Sequence, residues 1–322
     1  MNGRVRAFAA AICACAMLQA ASGATFPERP VRIVVPYAAG GFTDVLARII
    51  GNRLADKLGQ PVVIENKAGA STMLGAEMVA RAPADGHTLL MATTTTLSTN
   101  PLMFKKMPYK VADFAPVVLG GLTPFVLVAH PSVPANDAAG LVTHARAHPG
   151  NLNFAMLGPG SSTHLVDEML RVQARIDVPD VPYKGSGPAN SDLIAGHVQL
   201  NFDAVATAIP RIRSGQLKGL GITSDTRSPL LPGVPTFKES GLPQMLAYSW
   251  YGLLAPAATP LAIVDQLNRL VNEVLRLPEV QSQLESNGAS APTMTPRQFG
   301  DLIAEHTRTW EQIVKPLNLQ LD

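Results

Sequence analysis

Two short stretches carry residue types suited to holding an anion. The first runs Tyr37-Ala38-Ala39-Gly40-Gly41-Phe42-Thr43-Asp44, and the second Gly158-Pro159-Gly160-Ser161-Ser162-Thr163-His164. Each lies between an apolar run and an amphipathic one. Val31 to Val35 precede the first, and Val45, Leu46, Ile49, Ile50, Leu54 and Leu58 follow it at helical spacing. Glycines at a strand-to-helix turn let the backbone fold tightly and leave N–H groups at the helix start free to face a negative group. A purely structural turn is the competing reading of Gly40 and Gly41. Thr43 and Asp44, residue types suited to a helix N-cap, favour the anion cradle.

Spacing narrows the chemistry. The first loop has neither the Gly-x-Gly-x-x-Gly pattern nor the Walker spacing, and no lysine lies in it to meet a phosphate. Ser161 and Ser162 follow Gly160 without the second glycine of a nucleophile elbow. Chain order alone leaves open a triad of Ser161 or Ser162 with His164 and Asp203. Among the 7 histidines only His144 and His148 have ligand-like helical spacing, and no His-Glu-x-x-His accompanies them. Neither a metal nor a cofactor is implied.

Three more segments fall at strand-to-helix junctions: the threonine run with Thr94, Thr95 and Thr96; Tyr183 to Pro188; and Asn201 to Ala204, which contains Asp203. Ligands of open α/β sheets bind outside the carboxyl ends of the strands, so these segments should converge with the glycine turns on one cleft.

The elements that must position these residues alternate along the chain. β-type runs at Val31 to Pro36, Pro61 to Glu65 and His87 to Ala92 are interleaved with helices at Asp44 to Leu58 and Leu74 to Arg81. Two β-type runs follow, Phe114 to Leu119 and Phe125 to His130. A second α/β series then extends to Thr223, and a strand at Ser249 to Ala255 precedes helices at Leu261 to Leu275 and Pro296 to Val314. The pattern predicts an α/β fold of two lobes, each a mixed, mostly parallel sheet flanked by helices. The expected partition is residues 25–123 with 226–322 in lobe 1 and 124–225 in lobe 2, the crossings acting as a hinge.

Composition sets outer limits. At 47% hydrophobic and 16% charged, the 322 residues describe a globular chain. Arg4 and Arg6, the apolar Phe8 to Leu18 and the small residues Ser22-Gly23-Ala24 read as a signal peptide over residues 1–24, cleaved after Ala24. The apolar run is shorter than the roughly 20 residues that span a bilayer. Both cysteines, Cys13 and Cys15, lie inside it, so the mature chain should contain no thiol. Removing Arg4 and Arg6 from the 26 basic residues leaves 24 against 24 acidic ones, with no basic stripe for nucleic acid or anionic lipid.

Several motifs taken together resemble one family. They are Pro30 to Gly41 with Asp44, Asn66-Lys67-Ala68-Gly69, Ala84-Asp85-Gly86-His87-Thr88-Leu89-Leu90, Val181-Pro182-Tyr183-Lys184-Gly185 and Leu231-Pro232-Gly233-Val234-Pro235-Thr236. Over essentially the whole mature chain the sequence resembles the Bug (TctC-type) solute receptors of tripartite tricarboxylate transporters. The resemblance implies a two-lobed, hinge-closing periplasmic binding protein fold of type II that performs no catalysis. Its partners would be a small carboxylated solute (a di- or tricarboxylate, an acidic amino acid or an aromatic acid) and the transporter's membrane permease subunits. A periplasmic monomer is expected.

Carried over by position, the resemblance puts solute contacts at Tyr37, Ala39, Gly40, Gly41, Phe42, Thr43 and Asp44, largely through main-chain groups and water. Gly160, Ser161, Ser162 and Thr163 would face them, with His164 supporting. Thr94, Thr95, Thr96, Tyr183 and Asp203 would edge the pocket. Phe42 stands where many relatives carry a small residue, which suggests an apolar wall and a solute with an aromatic or apolar body. A sensing subunit of a signalling system and a periplasmic hydrolase are the alternative readings.

Overall fold

The computed structural model describes residues 26–183, 185–317 and 321. The expected signal segment over residues 1–24, with Cys13 and Cys15, lies outside these residues, as does Lys184.

The first half of the fold begins as the hydrophobic pattern predicts. β1 (Val31–Val35) is buried at every position but Arg32, as befits a strand covered on both faces. It pairs in parallel with β2 (Val62–Asn66) and with β3 (Thr88–Thr93). Helix α1 (Phe42–Leu58) leaves the carboxyl end of β1 and stops at Gly59, whose left-handed φ of 66° closes the last turn onto Ala55 O. Helix α2 (Met73–Ala80) returns the chain from β2 to β3.

A single strand then links two sheets. β4 (Phe114–Ala129) is 16 residues long, where the sequence suggests two separate runs. Gly120-Gly121-Leu122-Thr123-Pro124 reads as a break, but the chain stays extended and absorbs the irregularity as register shifts at Pro116/Val118 and Leu119/Gly121. From Phe114 to Pro124 it pairs with β9 (Tyr248–Pro256), giving the order β2-β1-β3-β9-β4. From Phe125 onward it pairs with β7 (Leu200–Ala204) and β8 (Lys218–Ile222). β5 (Phe154–Met156) and β6 (Asp180–Pro182) complete that second sheet in parallel. Each sheet is therefore mixed, with its antiparallel pairings gathered around β4.

Helices cover both sheets. In chain order after α2 they are α3 (Asn100–Met103), α4 (Ala138–Ala147), α5 (Ser162–Ala174), α6 (Ser186–Ala195), α7 (Val205–Arg213), α8 (Leu261–Leu275), α9 (Pro278–Ser286) and α10 (Pro296–Leu317). The apolar faces of α1 and α8 bury Leu46, Ile50, Leu54, Val264, Leu267 and Val271 against one side of the first sheet. α4 and α5 cover one face of the second sheet, and α6 and α7 the other.

Packing divides the chain differently from the expected partition. Residues 226–247 belong to the second sheet's cores: Leu231 and Val234 pack with Val126 and Ile222, and Phe237, Met245 and Ala247 with Phe154 and Phe202. Phe237 N and Ala247 N bond to Ile222 O and Thr223 O at 3.1 Å each, which ties this proline-bearing connection to β8. The chain therefore re-enters the first sheet at Tyr248, not near residue 226. Helix α10 belongs to both cores, with Phe299 and Ile303 in the first and Trp310 and Val314 in the second.

Gly252 of β9 marks where α10 seats. A Cβ built there would lie 2.3 Å from Phe299 Cζ and 2.7 Å from Val118 O, so even one methyl must displace a buried ring or backbone. Gly252→Ala is expected to lower stability by about 1–3 kcal/mol or more. Urea unfolding of the two proteins measures this, and an unchanged midpoint would contradict the packing.

Candidate functional site

The first turn is fixed by a buried carboxylate. Gly40 adopts φ +89°, a left-handed conformation that favours glycine, and Gly41 forms the N-cap of α1 with no side-chain cap. Asp44 is the third residue of the helix, not its cap, and is 4% exposed. Its carboxylate accepts from Gly40 N at 3.0 Å, Asn66 Nδ2 at 2.9 Å and Arg48 Nε at 3.1 Å. Burial opposes its ionisation, but the bond from Arg48, followed by those from Gly40 and Asn66, holds the carboxyl below its ordinary value. Asp44 thus braces the Gly40 turn. The N–H groups of Phe42 and Thr43, in the first turn of α1, have no intrahelical acceptor.

Phe42 turns inward. Its ring, 5% exposed, meets Tyr251 edge-on at 4.9 Å and packs in the first sheet's core, so it does not form the expected apolar cleft wall. Ala39 and Gly40 are exposed at the rim, while Thr43 is buried. Tyr37 Oη lies 2.9 Å from Thr93 Oγ1, and burial pushes its phenol upward.

The second turn is held by an imidazole. Ser161 caps α5, its Oγ accepting from His164 N at 3.2 Å and lying 3.0 Å from Thr163 Oγ1. His164 Nδ1 accepts from Gly160 N at 3.1 Å. The neutral ring therefore carries its proton on Nε2, which points at Asp180 Oδ2 (3.6 Å) and Glu168 Oε1 (3.7 Å). Burial keeps the imidazole below its usual pKa despite these acids. His164, Glu168 and Asp180 bring ligand-type atoms within 4.8 Å of one another. The ring nevertheless offers them a proton instead of a lone pair, and Arg171 pairs with both carboxylates. Glu168 and Asp180 are hydrogen-bonded by Arg171 and lie within electrostatic reach of the His164 ring that supports the Gly160 turn. No serine hydroxyl bonds the His164 ring among the described residues, and Asp203 bonds Asn190 and Ala204, so the triad allowed by chain order is not assembled.

The threonine run joins the two turns. Thr95 to Thr99 form a single π-turn in which every residue is buried. Thr94 Oγ1 accepts from Trp250 N at 3.0 Å and Thr96 O accepts from Tyr109 Oη at 2.5 Å, so these two residues brace the first sheet. Thr95 reaches across and accepts from Ser162 N at 3.2 Å. Thr99 donates to Gly160 O at 2.7 Å, and Ser71 donates to Pro159 O at 3.3 Å. Thr99 and Ser71 were missed by the sequence reading. The signal for Thr99 was present as a polar run, interrupted only by Leu97, directly after an apolar strand.

The structure therefore brings Thr95, Ser161, Ser162 and Thr163 together through backbone and hydroxyl groups, with Tyr37 of the first turn bonded to Thr93 at the end of β3. Tyr183 stays apart: its hydroxyl donates to Asp192 at 2.7 Å, and burial together with that bond pushes its pKa up to about 12.

Comparison with known proteins gives this geometry its context. The profile described as "Tripartite tricarboxylate transporter family receptor" matches residues 46–319. The chain belongs to that family. Protein BugT of Bordetella pertussis (strain Tohama I) is 37% identical over 302 residues, covering 93% of each chain. A Rhodopseudomonas palustris MatC structure with bound malate superposes with a TM-score of 0.85 at 37% identity, covering 90% of this chain and 100% of MatC. An R. palustris structure with adipate gives 0.87 at 35% identity, covering 90% and 97%. The receptor has a two-lobed periplasmic binding protein fold, as in the structure of periplasmic binding protein BugD, which superposes with a TM-score of 0.86 at 32% identity, covering 92% of this chain and 99% of BugD.

One buried acid within α5 yields a pH test. Asp167 is 1% exposed, and neither carboxylate oxygen has a hydrogen-bond partner. Burial, then the nearby Asp180, push its carboxyl well above the ordinary range. A pKa raised by folding gives stability that is full below the unfolded value, near pH 4, and declines as pH rises toward the folded value. Asp167→Asn removes that decline. The stability difference, variant minus wild type, should grow by about 1.4 kcal/mol per pH unit above about pH 4. Denaturant unfolding at several pH values measures it, and parallel curves would contradict it.

Proposed function

We propose that this receptor captures a small carboxylate between its two lobes in the periplasm and presents the closed form to the membrane subunits of a tripartite transporter, leaving the solute chemically unchanged. One observation carries the reading. The start of α1 leaves the Phe42 and Thr43 N–H groups without intrahelical acceptors, and the start of α5, in the other sheet, is tied to the first sheet by Ser162 N–H on Thr95 beyond β3. Backbone N–H groups and hydroxyls of this kind complement an anion without a full positive charge beside it. The adipate and malate of the R. palustris neighbours support a carboxylate as the ligand class.

The moving bodies follow the packing. Residues 26–124 with 248 onward form one, and residues 125–247 the other, hinged at Pro124–Phe125 and Ala247–Tyr248. The C-terminal part of α10 rides on the second body, so closure is a rotation that keeps α10 seated on both. The leader over residues 1–24 is removed after Ala24, and the mature chain acts as a monomer.

A thermal-shift screen of the mature protein against mono-, di- and tricarboxylates tests the reading. At 100 times the dissociation constant a bound acid should stabilise by about 2.7 kcal/mol. Silence toward every carboxylate, with a response to sugars or simple amines, would overturn it.

A further inference from the structure

One histidine pair stands apart from the proposed cleft. His144 and His148 share a face at the carboxyl end of α4, a helix that gives no residue to either glycine turn. Their rings stack, with 4.6 Å between centroids and the planes 27° apart. Spacing alone does not imply a metal, but three features of this helix end suit one.

The first is the placement of a proton. His148 Nδ1 lies 3.2 Å from the His144 carbonyl oxygen, which can only accept, so Nδ1 carries the proton and the Nε2 lone pair is left for a cation. Metal-binding imidazoles are oriented in this way, with a backbone carbonyl on the ring's other nitrogen. The His144 ring makes no hydrogen bond among the described residues, so either of its nitrogens can supply a second ligand. The His164 ring differs, because its Nδ1 lone pair is already taken by Gly160 N.

The second feature is the helix itself. Its last carbonyls carry partial negative charge and favour a cation beside them. Arg146, the other basic residue of the last turn, directs its guanidinium to Ala174 O, with Nε at 3.0 Å, and does not compete for that position. The third is access. His144 is half-buried and His148 exposed, so rotation of the side chains can converge their nitrogens without disturbing Leu141 and Ala145 in the core below.

We infer that His144 and His148 form a binding site for a late first-row divalent cation, each imidazole giving one nitrogen and water filling the remaining positions. No further His, Cys or acidic group joins the pair to make a trio among the described residues. Two imidazoles without a carboxylate select Cu2+ ahead of Ni2+ and Zn2+, and hold Mg2+ and Ca2+ poorly, because those hard ions take oxygen ligands. The bound ion ties the C-cap residue to the preceding turn and stiffens the end of α4. The inference does not depend on the carboxylate reading.

Calorimetric titration of the untagged mature protein with Cu2+ and with Ni2+ tests this. One ion should bind per chain, Cu2+ the tighter. His144→Gln and His148→Gln should each weaken both ions by about 10-fold or more, at least the loss caused by removing an outer-shell partner. His197→Gln, which removes an exposed histidine beyond α6, should leave binding unchanged. Both ligands must be unprotonated, so the wild-type affinity in acid should fall by about 100-fold per pH unit, against about 10-fold for a single histidine. Binding retained at wild-type strength by either pair variant, a single-proton slope, or the lack of a one-to-one site would overturn the inference.

Discussion

An anion held by neutral donors binds only if those donors are fixed in advance and kept from other partners. Backbone N–H groups at a helix start meet the first condition, because the helix orients them. Meeting the second takes side chains. Asp44 occupies the Gly40 N–H and cancels its own charge against Arg48, leaving the next N–H groups of the turn aimed outward. On the opposite turn an uncharged hydroxyl and a neutral ring occupy the His164 and Gly160 N–H groups, while Gly158 O and Thr95 take those of Ser161 and Ser162, so Thr163 is the position of that turn whose N–H has no intrahelical acceptor. The two jaws reach one electrostatic result by different means, one with a compensated carboxylate and the other with no charge in contact with the turn.

The same requirement explains the polar interior between the sheets. A run of threonines is costly to bury unless each hydroxyl finds a partner. Here Thr94 serves β9, Thr95 serves α5 and Thr99 serves the Gly160 carbonyl. These bonds tie the second jaw directly to the first sheet, so the jaw's position depends on how the two sheets sit together. That relation is limited in turn by β4, which runs unbroken through both sheets, and by α10, which packs in both cores. Continuous elements permit bending and twisting but not separation, which confines the lobes to a hinge motion.

Much of this was legible in the sequence. Strands buried on both faces and helices with one apolar stripe declare themselves by period, and the glycine turns stood out between them. The continuity of β4 was hidden because Gly120, Gly121 and Pro124 signal a turn by composition, whereas bulged pairing to β9 lets an extended chain carry them. Residues 226–247 were assigned to the wrong lobe for a related reason. Proline-rich connections lack periodicity, so only contacts such as Phe237 against Phe202, 5.7 Å between ring centroids, reveal the sheet they serve. Phe42 was misjudged because a residue's position in a loop motif does not fix its rotamer, and Tyr251, its partner, lies more than two hundred residues away.

The carboxylates show most sharply what a sequence withholds. Asp44, Asp167 and Asp203 are all buried aspartates near helix starts, and no local pattern separates them. Their partners do. Asp44 has three donors, including a guanidinium, and is held ionised. Asp167 has none, so its neutral form is favoured. Asp203 lies between these limits: burial raises its carboxyl, while bonds from Thr207, Asn190 and Ala204 and the charge of Arg211 pull it back down. Stability alone favours either of the first two conditions, because a half-compensated charge is the most costly one to keep.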